Sequence, residues 1–499
     1  MRVVSPAVGR QFAASRAGFD ALVDFLGDEA ATRLTHSELE DHLQIKGREL
    51  LRQLLQDHVD VRAAREQRLA EVAEADGTVH TRLERGHVRG VATIFGDIDV
   101  ARLAYRARLC TNLYPADAVL NLPGEKYSFG LRRLAALEAG RGSFEQTVAA
   151  IDRATGQRLG KRQIQELTSR AAGDVEEFYR TRDLPAVAEA DILALSFDGK
   201  GIVMRPEALR ATTAKAAAAQ KLSTRLSRGE KRNRKRMAAL GAVFDVIPAP
   251  RTPTDIITDP HAPAPADRAQ GPLTRGKWLT ASVTHDTEQV IAAVFDEAER
   301  RDPVHQRTWI ALVDGNNHQI ERIQAQARAR RIQITIVIDF IHVLEYLWKT
   351  AWCFHTEGDP TVEQWIATKA LEILSGNAGL VAAAIRRTAT RRGLTTEQRR
   401  NADITATYLH NKKEHLDYPT ALAAGWPIAT GVIEGACRHL VKDRMDITGA
   451  RWGLDGAEAI LTLRTLITNN DFDAYRTYHQ QQERLRVHNG CYWNAAIPT

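Results

Sequence analysis

Three acidic residues far apart in the chain have the types and settings of a shared metal site. Asp198 closes the apolar run DILALSFDGKG, Asp314 closes TWIALVDGNNHQ, and Glu434 lies in GVIEGACRHLVKDR, a stretch with helical character. An aspartate at the end of a buried strand presents its carboxylate where a ligand can reach it. Three such groups would repel one another unless a hard divalent cation neutralised them, and Mg²⁺ prefers oxygen ligands. The residues therefore predict a Mg²⁺ site at which Mn²⁺ is expected to substitute.

The charge of the chain suggests the partner of that metal. The 499 residues include 68 Lys and Arg against 62 Asp and Glu, a formal net charge of +6. A basic protein with a carboxylate-bound cation is suited to the phosphates of a nucleic acid. The pattern predicts two-metal phosphodiester chemistry, in which one ion activates the attacking water and the other stabilises the departing 3′ oxygen.

Each acid also has an ordinary structural explanation. Asp-Gly is a common turn after a strand, and glutamate is a good helix former. For any single residue that explanation is the stronger one. The combination of two Asp-Gly pairs after strands and one helical Glu-Gly is a less common coincidence, so it favours a functional site.

The middle of the chain has the alternating pattern of an α/β domain. Strand-like runs occur at 191–198, 239–248, 278–284, 308–314 and 332–339. Helical patterns occur at 286–300, 317–330 and 340–355. This alternation predicts a mixed sheet covered on both faces.

The region before this domain predicts helices around a hairpin. Residues 12 to 75 have helical spacing, with Thr35 and Glu38 as a capping box, and 88–106 predicts a β-hairpin. In 127–182, Ser143 can cap one helix, and Gly160 opens a second whose first turns carry Lys161, Arg162, Gln163 and Gln165. A helix-turn-helix would present these residues to bases, whereas an ordinary helical hairpin would leave them solvated; the sequence favours neither.

Two groups of basic residues could contact DNA phosphates. The first lies in the basic insertion at 206–237 and includes Arg225, Arg228, Lys231, Arg232, Arg234, Lys235 and Arg236. The second surrounds Glu434 and comprises Arg438, Lys442, Arg444 and Arg451. A run of like charges is often only a solvated surface. Because these groups lie near the predicted metal ligands, we expect them to track the DNA backbone.

Several motifs together resemble a known family. DGKGIVMR, LVDGNNHQIERI, IDFIHVLEYLW and GVIEGACRHLVKDRMDITGARW resemble a bacterial insertion-sequence transposase of the ISKra type. That type belongs to the Mutator-like group of DDE transposases, which have an RNase H-like catalytic core. RLAYR and NLPGEKYSFGLRRLAALEAGRGSFEQTV are also similar to that family, so the resemblance covers residues 88 to 470.

The resemblance implies roles for particular residues. Asp198, Asp314 and Glu434 correspond to the catalytic and metal-binding DDE triad. Asp339 and His342 correspond to a D-x-x-H element and would support the site or contact DNA. Asp339 also ends a strong strand, ITIVID, and is the alternative second metal ligand. Asp314 is favoured because a helix and a strand separate it from the D-x-x-H element.

These observations predict an α/β fold: an RNase H-like mixed sheet core with a large all-helical insertion, preceded by a helical N-terminal region. The predicted parts are an N-terminal region with the hairpin (1–125), a helix-turn-helix region (126–185), a catalytic core with the basic insertion and a Pro-rich loop at 249–276 (186–355), a helical insertion (356–428) and a C-terminal helical part with Glu434 (429–499).

The expected function is that of a DNA transposase, which cleaves the ends of its element and joins the 3′-hydroxyl to target DNA. Its expected partners are the terminal inverted repeats, the target DNA and further copies of the chain. Two alternatives are a non-enzymatic, domesticated DNA-binding protein and another RNase H-like nuclease. Four scattered cysteines and the lack of a signal-peptide pattern or a membrane-length apolar run predict a cytoplasmic location. Only Cys110 lies near the hairpin, which argues against a zinc module there.

Overall fold

The chain folds into two compact units. The computed structural model describes residues 11–183, 192–219, 234–261, 268–447 and 449–498. Unit 1 comprises Met1–Thr181 and Asn470–Thr499, and unit 2 comprises Arg182–Asn469. The predicted C-terminal part, 429–499, is therefore divided between the two units.

Unit 1 begins with helices and two hairpins. The helices are α1 (Ala13–Gly27), α2 (Glu29–Thr32) and α3 (His36–Arg65), and the strands are β1 (Val72–Ala73), β2 (Val79–His80), β3 (Arg82–Ala92) and β4 (Asp97–Arg106). The capping box predicted at Thr35 and Glu38 is present at the start of α3. β3 and β4 pair in an antiparallel hairpin. The hairpin expected at 88–106 is thus confirmed, and its first strand begins earlier than the pattern indicated.

Five further helices follow in unit 1. They are α4 (Pro115–Leu120), α5 (Phe129–Arg141), α6 (Phe144–Thr155), α7 (Lys161–Ala171) and α8 (Val175–Thr181). Ser143 and Gln146 form the expected capping box at the start of α6, and Gly156 ends that helix with a left-handed φ of 71°. The sequence signals for two helices joined by a short turn are therefore confirmed.

Unit 2 is built on a five-stranded mixed sheet of order β7-β6-β5-β8-β9. Its strands are β5 (Ile192–Val203), β6 (Lys235–Ile247), β7 (Leu273–Ser282), β8 (Thr308–Val313) and β9 (Ile334–Ile338). β5, β6 and β7 pair antiparallel, whereas β8 pairs parallel with β5 and β9 parallel with β8. Ile192 to Phe197 are all buried, as expected of a central strand covered on both faces. The α/β class and the five predicted strands are confirmed.

Helices pack around this sheet and continue beyond it. They are α9 (Ala211–Ala218), α10 (Pro253–Ile256), α11 (Thr287–Arg301), α12 (Asn317–Arg330), α13 (Phe340–Ala351), α14 (Thr361–Leu374), α15 (Ala378–Arg391), α16 (Arg400–Asn411), α17 (Tyr418–Ala423), α18 (Gly431–Ala436) and α19 (Leu454–Thr468). The segment predicted as all-helical, 356–428, holds α14 to α17 and no strand. The final helix, α20 (Phe472–Val487), belongs to unit 1, where Glu483 forms a bidentate ion pair with Arg132 of α5.

Three expectations need correction. The helical pattern expected for 12–75 ends at Arg65, and Val72–Ala73 forms β1. β5 does not end at Asp198, because β6 continues to pair with it as far as Val203. The loop predicted at 249–276 contains α10 and the start of β7, since Leu273 pairs with Ile247 across the edge of the sheet. Residues 262–267 of that loop and 220–233 of the basic insertion lie outside the described residues.

The contact between β6 and α11 gives a test of this packing. A methyl group added at Gly241 would lie 2.3 Å from Val294 Cγ2. We expect Gly241→Ala to lower the free energy of unfolding by about 1–3 kcal/mol, as overpacking of a core does. Urea denaturation measures this value. In the double variant with Val294→Ala the two costs should not add, because the shortened side chain removes the clash. Strictly additive costs would contradict the contact.

Candidate active site

The predicted strand acids meet at one edge of the sheet because β5, β8 and β9 are parallel. Ser196 pairs with Leu312, and Asp198 and Asp314 each stand two residues further along. Val313 pairs with Ile338, and the next residues are Asp314 and Asp339. The Asp339 amide continues this ladder by donating to the Val313 carbonyl at 2.8 Å. Strand pairing therefore lines up the three aspartates where β8 and β9 end.

Asp198 is half-buried, and both of its oxygens accept a hydrogen bond. Oδ1 accepts from the Gly199 amide at 2.6 Å, and Oδ2 accepts from the Cys437 thiol at 3.1 Å. Burial raises the pKa of Cys437, and the charge of Asp198 acts in the same direction. The thiol therefore stays protonated and donates. Cys437 lies three residues after Glu434, on the same face of its helix, and this spacing is the sequence signal that could have revealed it.

Asp314 is exposed beyond the end of β8. Its Oδ1 accepts from the Asn316 amide at 2.9 Å, and the Asn316 side chain caps α12. Gly315 between them has a φ of 91°, and a side chain there would meet the Tyr408 hydroxyl at 2.6 Å. That hydroxyl donates to the Asp314 carbonyl at 3.1 Å. The turn thus holds Asp314 through backbone contacts and leaves its carboxylate facing solvent.

Asp339 is only 2% exposed and caps α13. Its Oδ1 accepts from the Ile341 amide at 2.8 Å, and its Oδ2 accepts from the Thr430 hydroxyl. The same hydroxyl lies 3.2 Å from Glu434 Oε1. Thr430, which the sequence did not single out, therefore connects Asp339 with Glu434.

Glu434 has an exposed side chain on α18. Partial burial of its carboxyl raises its pKa, and the charge of Asp339 raises it further. The residues after α18, Cys437–Lys442, form a π-helix, a rare conformation that is frequent at functional sites. A cation bound near Glu434 would relieve the repulsion between its carboxylate and that of Asp339.

The carboxylates of the predicted triad do not form a closed cluster. Among the described residues, one group of three ligand atoms lies within 4.8 Å of one another, and it consists of Glu74, His80 and Cys110. Glu434 and Asp339 are joined by Thr430, and Asp198 is joined to the helix of Glu434 by Cys437. Asp314 is placed beside these residues only by the register of β8 with its neighbouring strands.

The Glu74, His80 and Cys110 group lies in unit 1, with Glu74 and His80 on the β1–β2 hairpin and Cys110 after β4. His80 is fully buried, with Nδ1 at 3.1 Å from the Tyr105 carbonyl and Nε2 at 3.0 Å from Glu74 Oε2. The sequence offered a single cysteine there and argued against zinc. The spatial neighbours of Cys110 are a glutamate and a histidine, which spacing along the chain did not indicate.

His342 lies in an aromatic cluster. Its ring centroid is 5.3 Å from that of Tyr346 and 6.2 Å from that of Tyr408, and the two tyrosines stack at 4.2 Å. Lys412, also from the helical segment after β9, donates to the Asn317 side chain. Burial lowers the pKa of Lys412, while the charge of Asp314 acts in the opposite direction. The helical segment thus brings aromatic and cationic side chains towards Asp314.

The basic residues predicted around Glu434 differ in accessibility. Arg438, Lys442 and Arg451 are exposed, whereas Arg444 is 2% exposed and lies over the Trp452 ring at 4.8 Å. Burial lowers the pKa of Arg444 to about 10. Trp452 is itself buried, which agrees with a core role. Arg444 therefore stabilises the fold. Its side chain is too deeply buried to make the DNA contact that the sequence predicted.

The first basic group is only partly described. Arg234, Lys235 and Arg236 lie at the start of β6, and Arg236 donates to the Val283 carbonyl at 2.8 Å. Its guanidinium is thus engaged by the backbone of the protein. The predicted phosphate contacts at Arg225, Arg228, Lys231 and Arg232 lie outside the described residues.

The residues predicted to read bases stand on α7 as expected. Lys161, Arg162 and Gln163 are exposed and Gln165 is half-buried. Lys161 pairs with Glu145, and Arg162 pairs with Glu166 at 3.0 Å. Exposed pairs of this kind contribute little stability, so a ligand could displace them.

Comparison with protein-family models gives no match, and comparison with curated proteins gives none either. Within the described residues, none of the helices combines the length and the apolar character that crossing a bilayer requires.

The Thr430 contact gives the first prediction for this site. Thr430→Val keeps the shape of the side chain but leaves buried Asp339 without its hydroxyl donor. We expect the free energy of unfolding to fall by about 1–3 kcal/mol, the cost of an unsatisfied buried polar group. Thr430→Ser, which keeps the hydroxyl, should lose less. Urea denaturation of both variants measures this, and equal stabilities would show that the hydroxyl is not needed.

Proposed function

We propose that the protein is a DDE transposase of an insertion sequence. The observation that carries the proposal is the alignment of Asp198, Asp314 and Asp339 at one edge of the mixed sheet, with Glu434 on a helix linked to two of them. Four acids from separate parts of the chain lie at this edge, although mutual repulsion opposes that arrangement. A metal-dependent phosphodiester reaction accounts for this arrangement.

The sheet supports an RNase H-like core. Its spatial order in chain numbering is third, second, first, fourth and fifth strand, with the last two parallel to the first. Between β9 with its helix α13 and the helix of Glu434 stand α14 to α17, in the place proposed for the helical insertion. Trp452 pairs with the end of β5 through hydrogen bonds to Val203 and Arg205, so the segment after Glu434 is tied to the strand of Asp198.

The donor set fits Mg²⁺ or Mn²⁺. Asp198 and Glu434 offer carboxylate oxygens, and the neighbouring Cys437 is a protonated thiol that already donates to Asp198. Two bound metal ions would act as Lewis acids, one towards the attacking water and the other towards the departing 3′ oxygen. The residues of the chain would position the ions and hold the DNA: Asp198 from the sheet, Glu434 from the helix, and Arg438, Lys442 and Arg451 on the exposed side.

Asp314 is the better candidate for the remaining ligand. Asp339 is 2% exposed, so its carboxylate is closed to a hydrated cation, whereas Asp198, whose two oxygens also accept hydrogen bonds, is half-buried. Asp314 is exposed and accepts one hydrogen bond, from the Asn316 amide. We therefore assign Asp339 to positioning Glu434 through Thr430. Its companion in the D-x-x-H element, His342, belongs to the aromatic cluster beside Asp314.

The proposed partners are double-stranded DNA at the element ends and at the target, and further copies of the chain, since two ends must be joined together. The helix pair α6–α7 is proposed to recognise the ends. A cytoplasmic location is part of the same proposal. A domesticated, non-enzymatic relative would bind DNA without cleaving it, and another RNase H-like nuclease would not require element ends.

Substitution of the proposed ligands tests the reaction. Asp198→Asn, Asp314→Asn and Glu434→Gln should each abolish Mg²⁺-dependent strand cleavage of a DNA carrying the element end, because each removes a charge that holds the cation. Folding and DNA binding should persist. Asp339→Asn, the matched control at the neighbouring register position, should retain part of the cleavage. Full cleavage by Asp314→Asn with none by Asp339→Asn would transfer the ligand role to Asp339.

Substitution on α7 tests recognition of the ends. Changing Arg162, Gln163 and Gln165 to Ala should weaken binding to element ends and spare weak binding to random DNA, because phosphate contacts elsewhere remain. Each bidentate base contact contributes about 1–3 kcal/mol of discrimination. Gel-shift titration of the full chain against terminal and scrambled duplexes measures the difference. An unchanged preference for the ends would place recognition outside α7.

A further inference from the structure

A basic recess lies at the end of the sheet opposite the carboxylates. It has a volume of about 940 Å³ and is located where β8 and β9 begin, at Thr308 and Ile334. Its lining includes Arg307, Arg328 and Arg331 and contains no acidic residue. We call it the arginine recess. Its size is that of a small-molecule site, and its charge selects an anion.

Two of these arginines are exposed and make no ion pair with the described residues. Arg328 and Arg331 have no carboxylate within 4.0 Å among the described residues, although Arg330 between them pairs with Asp296 and Glu299. Hydrogen bonds and charges from those two acids hold the pKa of Arg330 above its usual value, against the effect of burial. One helix end therefore carries an arginine that serves the fold and two exposed arginines whose charge is open to an anion.

The third arginine has unsatisfied donors. Arg307 Nη2 donates to Asp245 Oδ1 at 2.7 Å and to the Ile192 carbonyl at 2.9 Å. Its Nε and Nη1 are buried and have no hydrogen-bond partner. Because these two nitrogens are closed to solvent, they do not face the open recess, and Arg307 serves the fold through Asp245. The uncompensated charge of the recess therefore comes from Arg328 and Arg331.

The residue type at position 331 supports the same conclusion. Arg331 ends α12 with a left-handed φ of 58°. Glycine or asparagine usually takes this position, and other residues adopt the conformation at a cost of about 1–2 kcal/mol. Arginine is therefore not the residue that the backbone favours here. Its guanidinium at the rim of the recess gives a reason for its presence.

We propose that the arginine recess binds phosphates of the DNA backbone at a distance from the cleavage site; the choice of DNA rests on the proposed function. Guanidinium groups match phosphate geometry and can bind it through two parallel hydrogen bonds. β8 has 6 residues and joins the recess to Asp314. At about 3.3 Å per residue it separates the recess from Asp314 by about 20 Å through the buried core. DNA bound at the recess would therefore contact a surface remote from the cleavage site.

The salt dependence of DNA binding tests the recess. The full chain with Arg328→Gln and Arg331→Gln should bind a duplex carrying the element end with a weaker dependence on salt. The slope of log affinity against log salt should fall by about 1.8, because each phosphate contact contributes about 0.9. The matched control is Arg387→Gln with Arg391→Gln on α15, which removes the same charge from exposed positions. Fluorescence anisotropy over a salt series measures all three proteins.

Several outcomes would overturn the proposal. A slope equal to that of the natural protein would show that the two arginines do not contact DNA. An equal fall in the control would reduce the effect to overall charge. Binding of ATP that depends on Arg328 and Arg331, with an unchanged DNA slope, would assign the recess to a free nucleotide instead. If the double variant has a weaker salt dependence but the natural protein shows no metal-dependent cleavage, the transposase function is refuted and DNA binding at the recess is supported.

Discussion

The parallel pairing of β5, β8 and β9 is the constraint on which the candidate site depends. β8 and β9 end at the same level, and the longer strand β5 carries Asp198 at that level. Asp198, Asp314 and Asp339 are therefore brought together by backbone hydrogen bonds and not by attraction between them. Their charges oppose this arrangement. The protein offsets the opposition by donors: the Gly199 amide and Cys437 thiol for Asp198, the Asn316 amide for Asp314, and the Ile341 amide and Thr430 hydroxyl for Asp339. The negative charge that these donors do not offset lies at the exposed carboxylates of Asp314 and Glu434.

The exposed acids Asp314 and Glu434 can reach a ligand, whereas the buried acid Asp339 cannot. Asp339 is fully occupied within the protein and transmits its position to Glu434 through a single hydroxyl. Asp314 has an exposed carboxylate whose Oδ1 accepts from the Asn316 amide, beside a glycine turn that packs against Tyr408. The helical segment after β9 therefore shapes the site as well as filling space, since it supplies Tyr408 and Lys412 next to the turn.

Much of the fold was accessible from local sequence patterns. Apolar runs and their bounding Gly and Asp residues gave the five strands, and capping boxes at Thr35 and Ser143 gave two helix starts. Contacts between distant segments were not accessible. Nothing near Arg444 indicates that it packs on Trp452, and no spacing joins Thr430 to Asp339, 91 residues earlier. The extension of β5 to Val203 depended on a partner strand beyond an insertion, and the neighbours of Cys110 depended on a second hairpin.

The central claim is that these carboxylates hold divalent cations for phosphodiester chemistry. Its most direct test is anomalous diffraction from a crystal of the protein with DNA and Mn²⁺. We expect anomalous peaks at about 2.0–2.3 Å from oxygens of Asp198, Asp314 and Glu434, the distance range of metal–carboxylate bonds. Peaks confined to Glu74, His80 and Cys110, with none at the sheet edge, would contradict the account.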